Sequence, residues 1–115
     1  MTTQGQYYRA IRMKEAEATL ARMKERHRAA FPFPPRPLKI GIRQDLIAAG
    51  WTEDDVEAAL GYYLATKPYL QCTYAEGQFR IDLNGCPTSP VQAHQAHWAR
   101  QKVIKGEFDR AGNPR

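Results

Sequence analysis

Two cysteines, Cys72 and Cys86, are too few to frame a disulfide-stapled secreted domain. No apolar run approaches the ~20 residues that a bilayer-crossing helix needs, and no signal-peptide pattern opens the chain. The expected compartment is therefore the cytoplasm, with no membrane partner. Catalytic signatures are missing as well: there is no glycine-rich phosphate loop behind a strand pattern, no HExxH and no nucleophile elbow. Cys72, Cys86, His94 and His97 make a poor zinc set, because the cysteines are fourteen apart and the CxxC knuckle is absent. The two histidines, three apart, can still share a helix face, so zinc stays a weak alternative. The neighbouring carboxylates Asp54 and Asp55 are accounted for by helix capping. The chain is expected to bind rather than catalyse, without metal or cofactor.

What the sequence does have is positive charge, unevenly spread. The net charge is +5 and the isoelectric point about 9.4, which suits an acidic partner such as nucleic acid. Residues 1–43 hold ten Lys/Arg against three Asp/Glu, residues 44–90 two against seven, and residues 91–115 five against two. Blocks of this kind can be solvated faces and nothing more. The densest knot is Arg36-Pro37-Leu38-Lys39-Ile40-Gly41-Ile42-Arg43, three cations around a glycine where a helical pattern begins.

The size fits one domain. Residues 1–6 are polar and expected to fray. From about Tyr8 to Ala29 a helical pattern places Met13, Ala16, Leu20, Met23 and Ala30 on one narrow seam, too short for a coiled coil. It lacks the large apolar face of a membrane-lying helix. Four prolines in the six positions from Pro32 to Pro37 then end it. A short helix is expected over about 39–49, closed by Gly50. The next has Thr52 as N-cap, Asp55 in capping-box position and Trp51 to staple onto Val56, with Pro68 at its end. Residues 69–74 and 78–83 read as a β-hairpin around Glu76-Gly77, with Leu70, Cys72 and Tyr74 facing Leu83, Ile81 and Phe79. That register puts Tyr69 and Arg80 together on the exposed face. After a turn at Asn84-Gly85, a last helix is expected from Ser89 to about Lys105. It would pack through Val91, Trp98, Ala99 and Val103, leaving Arg100 and Lys102 free as further anion contacts.

The block Pro37-Leu38-Lys39-Ile40-Gly41-Ile42 with Gln44-Asp45-Leu46 resembles the ProQ/FinO family of bacterial RNA-binding chaperones. Ala58-Ala59-Leu60 with Tyr63, Tyr69-Leu70, and Arg80-Ile81-Asp82-Leu83-Asn84-Gly85 fit the family in order, and His97 and Ala99 fall in its closing helix. The resemblance spans about residues 31–103. It implies an α+β, mainly helical domain of four to five helices with one β-hairpin, flanked here by a basic extension (1–30) and a flexible tail (106–115). It also implies a post-transcriptional role in binding small RNAs or mRNA 3′ ends, through the lower stem of a terminator-type hairpin and its single-stranded U-rich 3′ tail. By position, Arg36 and Lys39 would contact RNA backbone, Gly41 would allow close approach, and Tyr69 and Arg80 would hold the 3′ tail. Arginine forks phosphate and tyrosine offers a stacking plane, which suits shape-led RNA recognition.

The chain departs from the family where Glu53, Glu57, Gly61 and Pro68 replace residues that are often basic. Arg43 and the N-terminal helix are candidates to compensate. The full set of RNA-binding candidates is Arg36, Lys39, Gly41, Arg43, Tyr69, Arg80, Arg100 and Lys102, in a chain expected to act as a monomer. The competing reading is a protein-interaction or DNA-binding adaptor that works through its basic N-terminal helix.

Overall fold

The computed structural model describes residues 4–114, and side chains from Arg12 onward. Of the frayed start expected at 1–6, residues 1–3 lie outside the described residues and Gln4–Gln6 are helical. The elements run α1 (Gln4–Arg26), a 3-10 turn (Arg28–Ala30), α2 (Ile42–Ala48), α3 (Glu53–Leu64), α4 (Lys67–Cys72), β1 (Phe79–Ile81), β2 (Pro87–Pro90) and α5 (Ala93–Lys105). Five helices and one antiparallel two-stranded hairpin make the fold α+β and mainly helical.

The α1 seam buries Ala16, Thr19, Leu20 and Met23, and packs along α3. From α3 come Val56, Ala59, Leu60 and Tyr63, at helical spacing. Leu38, Ile42, Leu46, Trp51, Tyr69 and Ile81 complete the core. Thr52 caps α3 as its sequence indicates, its hydroxyl accepting from the Asp55 amide at 3.1 Å. Gly41 holds φ +96° at the start of α2, a conformation that a side chain disfavours.

The hairpin exists, but its first strand is not the expected one. Residues 67–72 are helix, and β1 pairs instead with the segment after the Asn84-Gly85 turn. Pro68 explains the difference: in the first turn of a helix its fixed φ fits and its missing N–H costs nothing. It therefore opens α4 rather than ending α3, which stops at Leu64. The residues buried here are Tyr69, Leu70 and Thr73, a helical spacing that overrides the alternation of Leu70, Cys72 and Tyr74. The Asp82 carboxylate ties the real turn, accepting from the amides of Asn84 and Cys86 at 2.9 Å each. The register is Phe79 to Pro90 and Ile81 to Pro87, with an irregularity between them. Prolines are tolerated in β2 because an edge strand can spare their donors.

Two further corrections concern α5. Its N-cap is Gln92 in a reciprocal capping box with Gln95, not Ser89, which lies in β2. Its packing face is built from Ala96 and Ala99, whereas Trp98 stands 58% exposed. Beyond it, residues expected to form a flexible tail turn back onto α4: the Lys67 amide donates to the Gly112 carbonyl at 2.7 Å, and Gly112 is buried.

One pairing positions everything that follows. Leu38 forms a parallel bridge with Ile81, through Lys39 N–H to the Ile81 carbonyl (2.8 Å) and Ile81 N–H to the Pro37 carbonyl (2.9 Å). The cationic knot is thus stitched to the side of the hairpin.

Candidate functional site

Because residues 38 and 81 are paired, their neighbours Lys39 and Arg80 come to the same place. They line one hollow of about 240 Å³, together with Gly41, Arg43 and Tyr69. Five of the eight candidate residues therefore share a site. Arg36 is half-buried just before it and is not among the residues that line it. Arg100 and Lys102 lie on α5, where Arg100 sits 5.7 Å from the Tyr74 ring centre and Lys102 5.3 Å from that of Trp98.

The roles differ from what an exposed hairpin face would give. Tyr69 is not on a strand but on α4, and its ring is buried, so it offers no open stacking plane. Its hydroxyl accepts from the Leu38 amide at 2.9 Å. Burial pushes its pKa up, partly offset by that hydrogen bond and by Arg80. Arg80 is half-buried and donates from Nη1 to the Leu38 carbonyl (2.9 Å) and from Nη2 to Gln95 Oε1 (3.2 Å), while its Nε has no partner among the described residues. Tyr69 and Arg80 together fix the backbone that carries Lys39.

Each of the two more exposed cations has a carboxylate of its own. Lys39 Nζ lies 2.8 Å from Asp45 Oδ2, and Arg43 Nη2 lies 2.8 Å from Glu57 Oε1. The hydrogen bond and charge of Asp45 raise the Lys39 pKa, so it is fully cationic at neutral pH. The Arg43–Glu57 pair is exposed and the Lys39–Asp45 pair is partly so, and solvent screening leaves such contacts weak and readily exchanged. A phosphate can take the place of either carboxylate at little cost.

Sequence reasoning missed Asp45 and Glu57 as counter-charges, although Asp45, six residues after Lys39, is one turn inside α2. It also missed Gln95, whose capping position was the available signal, and the exposed Trp98. The basic N-terminal helix is less free than its charge suggests. Arg22 and Arg26 lie 6.0 and 4.8 Å from the Trp51 ring centre, and Lys24 5.2 Å from that of Tyr63. Among the described residues no group of three or more His, Cys, Asp and Glu side chains is placed to hold a metal, and no helix is long and apolar enough to cross a membrane.

The ProQ/FINO family model matches residues 13–113, nearly the whole chain. The chain belongs to the ProQ/FINO family. A ProQ homologue from Legionella pneumophila, solved by NMR, is 29% identical and superposes with a TM-score of 0.64, covering 84% of each chain. A crystal structure of a FinO-like RNA chaperone from Neisseria meningitidis MC58 shares the fold at 23% identity, with a TM-score of 0.65 over 87% of this chain and 91% of that one. No curated protein sequence gives a significant match. The ProQ/FINO match begins within α1 and runs past α5, so all of α5 and the part of α1 from Met13 onward fall inside the region that the family model covers.

Proposed function

We propose that this ProQ/FINO domain is an RNA-binding chaperone of bacterial small RNAs or mRNA 3′ ends, gripping the base of a terminator-type hairpin and its U-rich 3′ tail. The observation that carries the reading is the hollow in which Lys39, Arg43 and Arg80 gather around the Leu38 backbone. Its cations can meet consecutive phosphates of one strand end, and hydrogen bonds from Arg80 and to Tyr69 fix the Leu38 backbone between them. Family membership, the net charge of +5 and the fold shared with a FinO-like RNA chaperone all support it. The domain acts in the cytoplasm as a monomer, by binding and not by chemistry. Lys39 and Arg43 exchange Asp45 and Glu57 for phosphate, and Tyr69 works through Leu38 instead of stacking on a base.

The test is affinity for a hairpin carrying a 3′ oligo-U tail, compared with the same hairpin made blunt, at several salt concentrations. Removing the tail should weaken binding about tenfold or more, and affinity for the tailed RNA should fall steeply as salt rises. Equal affinity for the two RNAs would exclude the 3′-end part of the reading.

A further inference from the structure

The Lys39–Arg80 hollow does not end at Arg80. Leu64, Tyr69 and Arg80 also wall a second hollow of about 400 Å³, which His94, Gln95 and Trp98 close on the α5 side. Leu64, Leu70 and Trp98 in turn wall a third, of about 410 Å³, that reaches Lys102 and Phe108. Shared walls set the three hollows side by side, a trough in three parts across α3, α4 and α5. Volumes of this size suit a small ligand group such as a nucleobase.

Trp98 stands where the second and third hollows meet. It is 58% exposed, and α5 buries Ala96 and Ala99 instead, so packing does not account for it. His94, Trp98 and Lys102 follow one another at steps of four, one stripe along the helix. Lys102 holds its ammonium 5.3 Å from the Trp98 ring centre. Among the described residues the middle hollow is lined by the Arg80 guanidinium and the His94 imidazole and by no carboxylate; the far one is lined by both Lys102 and Glu107. An aromatic plane beside a cation, in a hollow that adjoins a cluster of cations, is how proteins hold single-stranded nucleic acid.

We infer that this trough is a track for the single-stranded part of the RNA, with Trp98 stacking a nucleobase and Lys102 meeting the adjoining phosphate. The inference rests on the reading that an RNA strand enters the Lys39–Arg80 hollow. It adds a base-stacking position that the buried Tyr69 cannot provide.

Trp98 and Trp51 are the two tryptophans, and Trp51 is buried. Intrinsic fluorescence therefore sums both, and contact quenching by an added strand selects the exposed Trp98. Oligo-U should quench it in the native protein and not in Trp98→Phe, whose remaining emission comes from Trp51. Trp98→Ala should weaken binding of the tailed hairpin about tenfold, Trp98→Phe by much less, and neither should change affinity for the blunt hairpin. Lys39→Ala, measured alongside, tests the underlying reading. Absence of quenching, with Trp98→Ala unchanged and Lys39→Ala weakened, would overturn the track and leave the phosphate site standing. Weakening by Trp98→Ala that is equal for tailed and blunt RNA would also overturn it, by placing Trp98 against duplex. If the tail is dispensable and Lys39→Ala is silent, the proposed function fails and the track with it.

Discussion

Tyr69 and Arg80 hold the two ends of one residue: the Leu38 amide donates to the Tyr69 hydroxyl, and the Leu38 carbonyl accepts from Arg80, each at 2.9 Å. Eleven residues apart in sequence, they act on the same piece of backbone. Removing either should loosen Lys39 without touching it.

Tyr69→Phe keeps the buried ring and strands the Leu38 amide. Leaving such a donor unsatisfied costs about 1–3 kcal/mol. We expect the urea midpoint to drop accordingly and affinity for tailed RNA to fall with it. An unchanged midpoint would mean that the amide finds another partner.

The ion pairs predict opposite effects from neighbouring substitutions. Lys39→Ala and Arg43→Ala should each lower the slope of log affinity against log salt by roughly 0.7–0.9, the loss of one phosphate contact. Glu57→Gln releases Arg43 from its carboxylate and should tighten RNA binding, with stability changed by less than about 1 kcal/mol. Weaker binding by Glu57→Gln would show that the pair is needed to orient Arg43.

His27 supplies a pH dependence. Its Nε2 accepts from Trp51 Nε1 at 2.9 Å, and burial, followed by the charge of Arg26, lowers its pKa below the ordinary value. The unfolded chain therefore takes up this proton first as pH falls. The stabilisation is complete above about 6.5 and is lost as pH drops through the folded value. Denaturation midpoints measured between pH 7 and 5 should fall more in the native protein than in His27→Gln, which does not titrate.

Burial separates the two thiols. Cys72 is half-buried and its pKa is pushed up to about 12, against the opposing influence of Arg80, whereas Cys86 is exposed. Iodoacetamide at pH 8 should alkylate Cys86 alone in the folded protein and both cysteines in urea, as peptide mass analysis would report.

Local rules recovered most of the helices. Thr52 with Asp55 and the stripe from Val56 to Tyr63 marked α3, since caps and amphipathic periods are written in neighbouring residues. The hairpin was legible in kind and misread in place. Leu70, Cys72 and Tyr74 alternate as a strand would, but burial of Tyr69, Leu70 and Thr73 against the rest of the core decides otherwise. Lys39, Gly41, Tyr69 and Arg80 came from the family's motifs, Arg43 from the density of charge around Gly41, and the pairing of Tyr69 with Arg80 also from a hairpin register that the structure replaces. The physical cause of their grouping, the pairing of Leu38 with Ile81, joins residues 43 apart and leaves no local mark. The counter-charge Glu57 was invisible for the same reason, since it meets Arg43 only once α2 and α3 are packed, whereas Asp45, six residues from Lys39, lay within reach of a local reading.

The bridge between Leu38 and Ile81 has one more consequence. It closes the chain into a ring, with α2, α3 and α4 hung between two fastened ends. What happens on the outward faces of those helices need not move the clasp. Substitutions that change the charge of those faces, such as those of Glu53 and Glu57 on α3, should leave the backbone beneath Lys39 where it is. Under the proposed function grip and tuning would then be separable: the clasp would fix where a strand is held, and the helices on the ring would adjust how tightly.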